Sequence, residues 1–191
     1  EKRDAGTGGS DANEKPEERR PWRILARPLG TVDFGPLPRP AVGFGLGVGW
    51  SSAPWRVLVV GRNVLEQTVF SSSQLQDVQA DVHRLMFELW ACRTWQANII
   101  EFGPCVVPAV ERISARGGGL GVKPAEVNTL GFALGAGVTT EVHVARWFAL
   151  AANANLSVET KRPRWVLAGL GEVYQLGMVS LSLSLGAELS F

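Results

Sequence analysis

The chain has 191 residues, of which 46% are hydrophobic, and a formal net charge of +1. That length allows one ordinary domain or one small barrel. The near-neutral charge gives no basis for nucleic-acid binding or for electrostatic attachment to a membrane surface. No run of about 18 uninterrupted apolar residues occurs, which excludes a transmembrane helix but not membrane-spanning β-strands, whose signal is alternation.

Residues 1–21 are predicted to form a disordered N-terminal arm. The first twenty of them include eleven charged side chains and no large apolar one, so the segment cannot bury enough surface to offset its ordering entropy. A plain linker is the simplest interpretation, and a docking peptide for a protein partner is the alternative. No signal peptide begins at Glu1, and we therefore expect a mature or trimmed chain.

The next part of the chain is predicted to contain four strands separated by turn residues, over residues 22–34, 41–50, 55–66 and 78–92. The second strand places five large apolar residues opposite a face of glycines, and they are Val42, Phe44, Leu46, Val48 and Trp50. Such a glycine face weakens a soluble sheet but suits a narrow barrel, in which neighbouring large residues need room. Within the fourth strand, residues 85–90 also fit a helix.

Three further strands are predicted over residues 99–113, 130–139 and 148–159, and a glycine-rich loop over residues 114–123 separates the first two. Pro104 and Pro108 each remove a hydrogen-bond donor from the fifth strand, so we expect a bulge or an interruption there. A long connection over residues 161–177 leads to the last strand.

The last strand has the clearest pattern in the chain. Seven apolar residues alternate with small or polar ones, and they are Val179, Leu181, Leu183, Leu185, Ala187, Leu189 and Phe191. A period of two sustained this long predicts a strand with one apolar and one polar face. A final aromatic residue preceded by such alternation resembles the C-terminal strand of bacterial outer-membrane β-barrels. Size and strand number resemble small members such as OmpX and the OmpA transmembrane domain.

The resemblance implies that Leu185, Leu189 and Phe191 form a signal read by the barrel-assembly machinery. We therefore predict an all-β fold, an eight-stranded antiparallel up-and-down transmembrane β-barrel over residues 22–191, in the outer membrane of a Gram-negative bacterium. With both termini periplasmic, the long connections after strands three, five and seven face outward.

This topology places six aromatic residues at the periplasmic interface, where rings with an apolar body and a polar N–H collect. They are Trp22, Trp50, Trp55, Trp95, Trp147 and Phe191. Trp147 is in phase with inward positions, so it need not face lipid.

The inward face is predicted to hold a polar cluster of Arg84, Glu88, Glu101, Glu111, Asn153, Asn155, Glu159 and Glu188. An eight-stranded barrel is just wide enough to be filled by side chains. Because an unpaired buried charge is costly, these groups are expected to pair and to plug the lumen. We expect Arg84 to pair with Glu88, Glu101 or Glu188. A narrow gated pore is the alternative.

The cysteines and histidines offer little catalytic chemistry. Cys92 and Cys105 flank a turn at nearly equal distance, so they either form a disulfide between adjacent strands or remain two buried thiols. His83 and His143 have no HExxH-type partner, so no metal site, cofactor or catalytic residue is expected. A lipid A-modifying barrel enzyme would need a His beside a Ser at the outer rim, and His83 lies well away from the serines at 71–73.

The expected function is that of a non-enzymatic barrel with a structural, surface-interaction or partner-assembly role, surrounded by outer-membrane lipid and lipopolysaccharide. A basic and aromatic set in the outer loops either contacts lipopolysaccharide phosphates or an extracellular partner, or remains solvated. It comprises Lys123, Lys161, Arg162, Arg164, Trp165 and Tyr174. The competing class is a soluble calycin-like barrel holding an apolar ligand, although a soluble surface would carry more Lys and Glu than these strands do.

Overall fold

The alternation of apolar and polar residues produces a structure made of strands. The computed structural model describes residues 22–35, 37, 39–70, 78–119, 122–160, 164–167, 171–175 and 177–191. The predicted arm over residues 1–21 and the serines at 71–73 lie outside them. The strands are β1 (Arg23–Phe34), β2 (Ala41–Ser52), β3 (Trp55–Phe70), β4 (Val78–Arg93), β5 (Trp95–Ala97), β6 (Ile100–Gly119), β7 (Val122–Ala145), β8 (Phe148–Glu159), β9 (Arg164–Leu167), β10 (Gly171–Gln175) and β11 (Val179–Ser190). No helix in the described residues is long and apolar enough to cross a membrane.

Hydrogen bonding closes eight of these strands into a ring. The order is β1, β2, β3, β4, β6, β7, β8 and β11, each neighbouring pair is antiparallel, and β11 pairs back onto β1. β5 pairs with the start of β6, while β9 and β10 form a separate hairpin between β8 and β11. The predicted eight-stranded antiparallel barrel is confirmed, and closure leaves no free edge along the length that the eight strands share.

The barrel has its apolar face outside and its charged face inside. Phe44, Leu134 and Leu185 point outward with 58%, 59% and 72% of their surface exposed, whereas Arg56 and Arg84 lie inside at 2% and 1%. An apolar outer band around a polar interior is the arrangement of membrane-spanning barrels. The soluble calycin-like alternative is therefore wrong, because it requires the apolar face to point inward.

One end of the barrel, called here the terminal rim, carries the start of β1, the end of β11 and the tight turns of the β2–β3, β5–β6 and β7–β8 connections. Ile24 and Phe191 exchange two backbone hydrogen bonds there. All six aromatic residues predicted for one interface lie at this end and are at least 47% exposed: Trp22, Trp50, Trp55, Trp95, Trp147 and Phe191. Trp147 points outward because it lies in the turn between β7 and β8, where strand alternation stops.

At the opposite end, the predicted glycine-rich loop over residues 114–123 is mostly strand, which corrects the sequence interpretation. β6 continues to Gly119 and β7 begins at Val122. Ser114 pairs with Asn128 of β7 and with His83 of β4. Backbone hydrogen bonds from both neighbours thus hold a segment whose glycines suggest a loop.

These long strands make one side of the wall taller than the other. β2 pairs with β3 only up to Val64, and β8 pairs with β7 only up to Ala133. We call residues 65–70, 78–83, 114–119 and 122–132 the extension. It is a four-stranded sheet that continues beyond the rest of the barrel.

Two further expectations concern single strands. β6 passes through Pro104 and Pro108 without a register shift against β7, so no bulge forms. In the pairing of β6 with β4, Pro108 and Val107 have no ladder partner, and pairing resumes at Val106 in the same register. The expected interruption is therefore present at Pro108. The helix alternative for residues 85–90 is wrong, because hydrogen bonds from β3 and β6 hold β4 extended.

A disulfide joins β4 to β6 inside the barrel near the terminal rim. Cys92 and Cys105 are direct partners in the ladder, with an S–S distance of 2.03 Å, and both are buried. The disulfide alternative for these two cysteines is confirmed. They belong to an apolar cluster with Leu58, Trp90 and Val107.

Replacing both cysteines by alanine should lower the free energy of unfolding by about 2–4 kcal/mol. The bond links residues 13 positions apart and so restricts the unfolded chain. Urea unfolding of the barrel refolded in detergent measures the change. Wild type unfolded with a reductant present is the control and should match the variant. Equal midpoints for the oxidised wild type and the variant would contradict the prediction.

Candidate functional site

The lumen contains four buried arginines, which come from the inward positions of β1, β3 and β4. They are Arg27, Arg56, Arg62 and Arg84, each at most 3% exposed. Seven acidic side chains from the surrounding strands pair with them: Asp33, Glu88, Glu101, Glu111, Glu141, Glu159 and Glu188. The charges fall into three clusters that follow one another along the barrel.

The far cluster lies towards the extension and centres on Arg84. Its guanidinium donates to Glu111 and, at 2.8 Å, to Glu159. The expected partners are Glu88, Glu101 or Glu188, and this expectation is wrong. Glu111 and Glu159 lie at the level of Arg84, since Arg84 pairs with Ile113 in the ladder, whereas Glu88 pairs nearer the terminal rim with Ala109.

The middle cluster centres on Arg62. It donates to Asp33 at 2.8 Å and also to Glu88. The indole N–H of Trp90 donates to the second oxygen of Glu88 at 3.0 Å. Trp90 thus differs from the rim tryptophans, because its ring fills the lumen and its N–H stabilises a buried carboxylate.

The rim cluster lies next to the terminal rim and contains two arginines. Arg27 and Arg56 both donate to Glu141 and to Glu188. Arg56 also reaches Glu101, with an N–O distance of 3.2 Å. In each of the three clusters the carboxylates outnumber the guanidiniums by one.

Uncharged polar side chains fill the space between these clusters. Asn153 accepts from Arg27 at 3.1 Å and from Thr139 at 2.8 Å, and it donates to Ser184 at 3.0 Å. The predicted lumen residue Asn155 is also buried. The cavity that remains beside Arg27, Arg62 and Trp90 measures about 10 Å³, which is room for one water molecule at most.

Beyond the far cluster, the inner face turns apolar. Six buried residues pack together there, and they are Leu37, Ala41, Val64, Val82, Ile113 and Ala115. Leu37 comes from the connection between β1 and β2, and its side chain packs over this end of the lumen. The interior therefore holds charged clusters along its length beside the apolar cluster around the disulfide, and it is apolar at the end next to the extension.

Sequence reasoning placed eight polar residues in the lumen, and the structure brings all eight inside. It missed five others: Arg27, Asp33, Arg56, Arg62 and Glu141. The signal was present, because Arg27 and Asp33 alternate with the outward residues of β1, and Arg56 and Arg62 alternate with those of β3. Glu141 was missed because the predicted sixth strand ends at residue 139. The corresponding strand in the structure, β7, continues to Ala145.

The remaining candidate residues are distributed over both ends. His83 lies on the extension, 2.9 Å from the amide oxygen of Asn63, and His143 lies at the terminal rim, 3.2 Å from Glu101. Of the predicted assembly signal, Leu185 and Phe191 are exposed on the outer surface and Leu189 is half-buried. The side chains of the basic and aromatic loop set lie outside the described residues.

Comparison with known proteins was made by sequence and by structure. No protein-family model and no curated protein matches the chain. Neisserial surface protein A matches with a TM-score of 0.58 and 12% identity, over 89% of this chain and 97% of its own. A major outer membrane protein of Thermus thermophilus matches with a TM-score of 0.65 and 11% identity, over 88% and 99%. The attachment invasion locus protein Ail of Yersinia pestis matches with a TM-score of 0.55 and 13% identity, over 89% and 97%.

These matches define the class of structure. The chain has the fold of the small eight-stranded outer-membrane β-barrels, in agreement with its closed ring, its apolar outer band and its charged lumen. At these identities the likeness concerns the fold.

Replacing Arg84 by methionine should destabilise the barrel by about 3–5 kcal/mol, because Glu111 and Glu159 are then left buried without their cation. Adding Glu111→Gln and Glu159→Gln to the same chain should recover much of that loss. Arg112→Met, on the exposed outer face, is the matched control and should have little effect. Urea midpoints of wild type and these three variants measure the series, and equal losses for Arg84→Met and Arg112→Met would contradict it.

Proposed function

We propose that the protein is an integral outer-membrane barrel that neither conducts ions nor catalyses a reaction, and that acts through its outward-facing surface. In this proposal both termini face the periplasm. Lipopolysaccharide surrounds the extension, and the barrel-assembly machinery reads Leu185, Leu189 and Phe191. A protein partner would meet the chain through the outer loops or the N-terminal arm.

The observation that carries this proposal is the succession of three ion-paired clusters along the lumen. An ion crossing the barrel would have to separate buried Arg–carboxylate pairs, and breaking such a pair costs several kcal/mol. It would also have to pass the apolar residues next to the extension, among them Leu37 and Ile113. If the lumen does not conduct, the outward-facing surface is the part of the barrel that can interact with other molecules.

A non-enzymatic role is supported by the partners of the histidines. Within the described residues, His83 bonds to an amide and His143 to a carboxylate, and neither bonds to a serine or cysteine. A nucleophile needs an adjacent base for activation. The arrangement of the described residues therefore favours binding over catalysis.

Planar-bilayer recording tests the non-conducting lumen. The purified barrel, whose folded state is confirmed by its boiling-dependent mobility in SDS, should give no stable conductance steps. A general porin inserted under the same conditions provides the positive control. Regular conductance steps from the wild-type barrel would refute the closed lumen and favour the gated pore.

Contact with lipopolysaccharide is supported by a polar row on the outward face at the base of the extension. Ser114 and Asn128 are 2.6 Å apart, and Arg112 donates to Asn128 at 3.3 Å. Arg116 is exposed further out along the same strand. Nearer the terminal rim the outer face is apolar, so this row marks the level at which lipid headgroups would begin, and arginine is well suited to bind their phosphates. Ail, a barrel of the same fold, has been solved with the heparin analogue sucrose octasulfate.

The double variant Arg112→Gln/Arg116→Gln should retain less lipopolysaccharide after purification in mild detergent, because two cations near the phosphates are lost. Arg146→Gln is the matched control, since Arg146 is also exposed but lies at the terminal rim. Quantifying lipid A per barrel measures the effect. Equal retention by wild type and both variants would rule out the proposed contact.

A further inference from the structure

Two carboxylates face each other across paired strands at the terminal rim. Glu101 of β6 and Glu141 of β7 are direct partners in the ladder, and both point into the lumen. His143 lies two residues further along β7, and its Nε2 is 3.2 Å from Glu101 Oε2. Like charges directly opposite each other destabilise a strand pair, so this arrangement requires positive charge between them.

The neighbouring arginines supply only part of that charge. Arg56 binds Oε1 of Glu101 at 3.2 Å, and Arg27 and Arg56 both bind Oε1 of Glu141. Oε2 of Glu141 has no hydrogen-bond partner among the described residues, although the side chain is only 1% exposed. With Glu188 included, the rim cluster has three carboxylates and two guanidiniums. With His143 neutral, as a metal-binding imidazole must be, one negative charge is left over in the same cluster as the unpartnered oxygen.

The geometry of three side chains in the rim cluster suits a single ion. Ligand atoms of Glu101, Glu141 and His143 all lie within 4.8 Å of one another, so small side-chain rotations would bring them around a common centre. A cavity of about 40 Å³ adjoins Glu101 and His143, which line it together with Arg56, Glu188 and Ser190. Glu101 is 12% and His143 is 23% exposed, so the site is reachable from the rim.

We propose that Glu101, Glu141 and His143 bind a divalent cation of the zinc type, with water as the fourth ligand. One imidazole nitrogen with two carboxylate oxygens is a donor set that Zn²⁺ accepts, whereas Ca²⁺ and Mg²⁺ prefer oxygen ligands alone. Arg56 remains on the other oxygen of Glu101 and orients that ligand. The ion more than offsets the excess negative charge of the rim cluster, whose net charge changes from −1 to +1, and it ties β6 to β7.

Sequence reasoning missed this site because its ligands do not follow a helical motif. Glu141 and His143 are two residues apart on β7 and share one face of it. Glu101 lies beside them only because of the register in which β6 pairs with β7. The proposal does not depend on the non-conducting role. A barrel that conducts would still hold the site, and a barrel without the site would still be closed by the other clusters.

Metal titration of the untagged barrel in detergent, after treatment with a chelator, tests the site. Co²⁺ should give the visible absorption of a four-coordinate ion, and one equivalent of Zn²⁺ should remove it. Glu101→Gln and His143→Asn should each weaken Zn²⁺ binding at least about tenfold. His83→Asn removes the chain's other histidine at the far end and should retain wild-type affinity.

Any of four outcomes would overturn the proposal: no Co²⁺ spectrum in the wild type, unchanged affinity in His143→Asn, loss of binding in His83→Asn, or Ca²⁺ bound as tightly as Zn²⁺. Boiling-dependent mobility in SDS shows that each variant is folded. If His143→Asn does not fold, the His83→Asn barrel still decides the matter. His143 is its single histidine, and Co²⁺-shifted imidazole proton signals must then come from that residue.

Discussion

The structure depends on the pairing of buried guanidiniums with carboxylates inside a ring too narrow for bulk water. Moving any one strand by a single residue would turn its inward charges towards lipid and its apolar residues into the lumen, because side chains alternate with a period of two. The ion pairs therefore fix the register as firmly as the apolar outer face does. Arg62 shows this directly, since its partners Asp33 and Glu88 come from strands on different sides of it in the ring.

The same pairing separates the molecule into regions with different tasks. The charged clusters lie in the lumen, the apolar band forms the outer surface, and the two ends carry polar and aromatic residues. The extension raises four strands above the rest at one end, while aromatic residues such as Trp50 and Trp95 ring the other. The function proposed above accordingly assigns interactions with other molecules to the ends and not to a central channel.

Much of this was predictable from local patterns, and the failures have physical causes. Alternation identified the strands, the outward face of residues such as Leu185 and the inward face of residues such as Glu188. It did not identify the partners of Arg84, because the level of a residue along the barrel depends on the stagger between strands, and alternation within one strand does not reveal that stagger. The glycines at 117–119 suggest a loop because they have no side chain to show alternation, although their backbone pairs with β4. Glu141 and Glu101 belong to one cluster only through that same stagger.

The closure of β1 onto β11 also has a consequence for how the chain folds. Arg27 and Glu188 are 161 residues apart in sequence, so the rim cluster is incomplete until the last strand has docked. Contacts between such distant residues slow folding, because a long loop must close before they form. Pairing of the first strand with the last strand therefore completes both the ring and the rim cluster. In a nascent barrel without its final strand, Arg27 would lack Glu188, one of its two carboxylate partners.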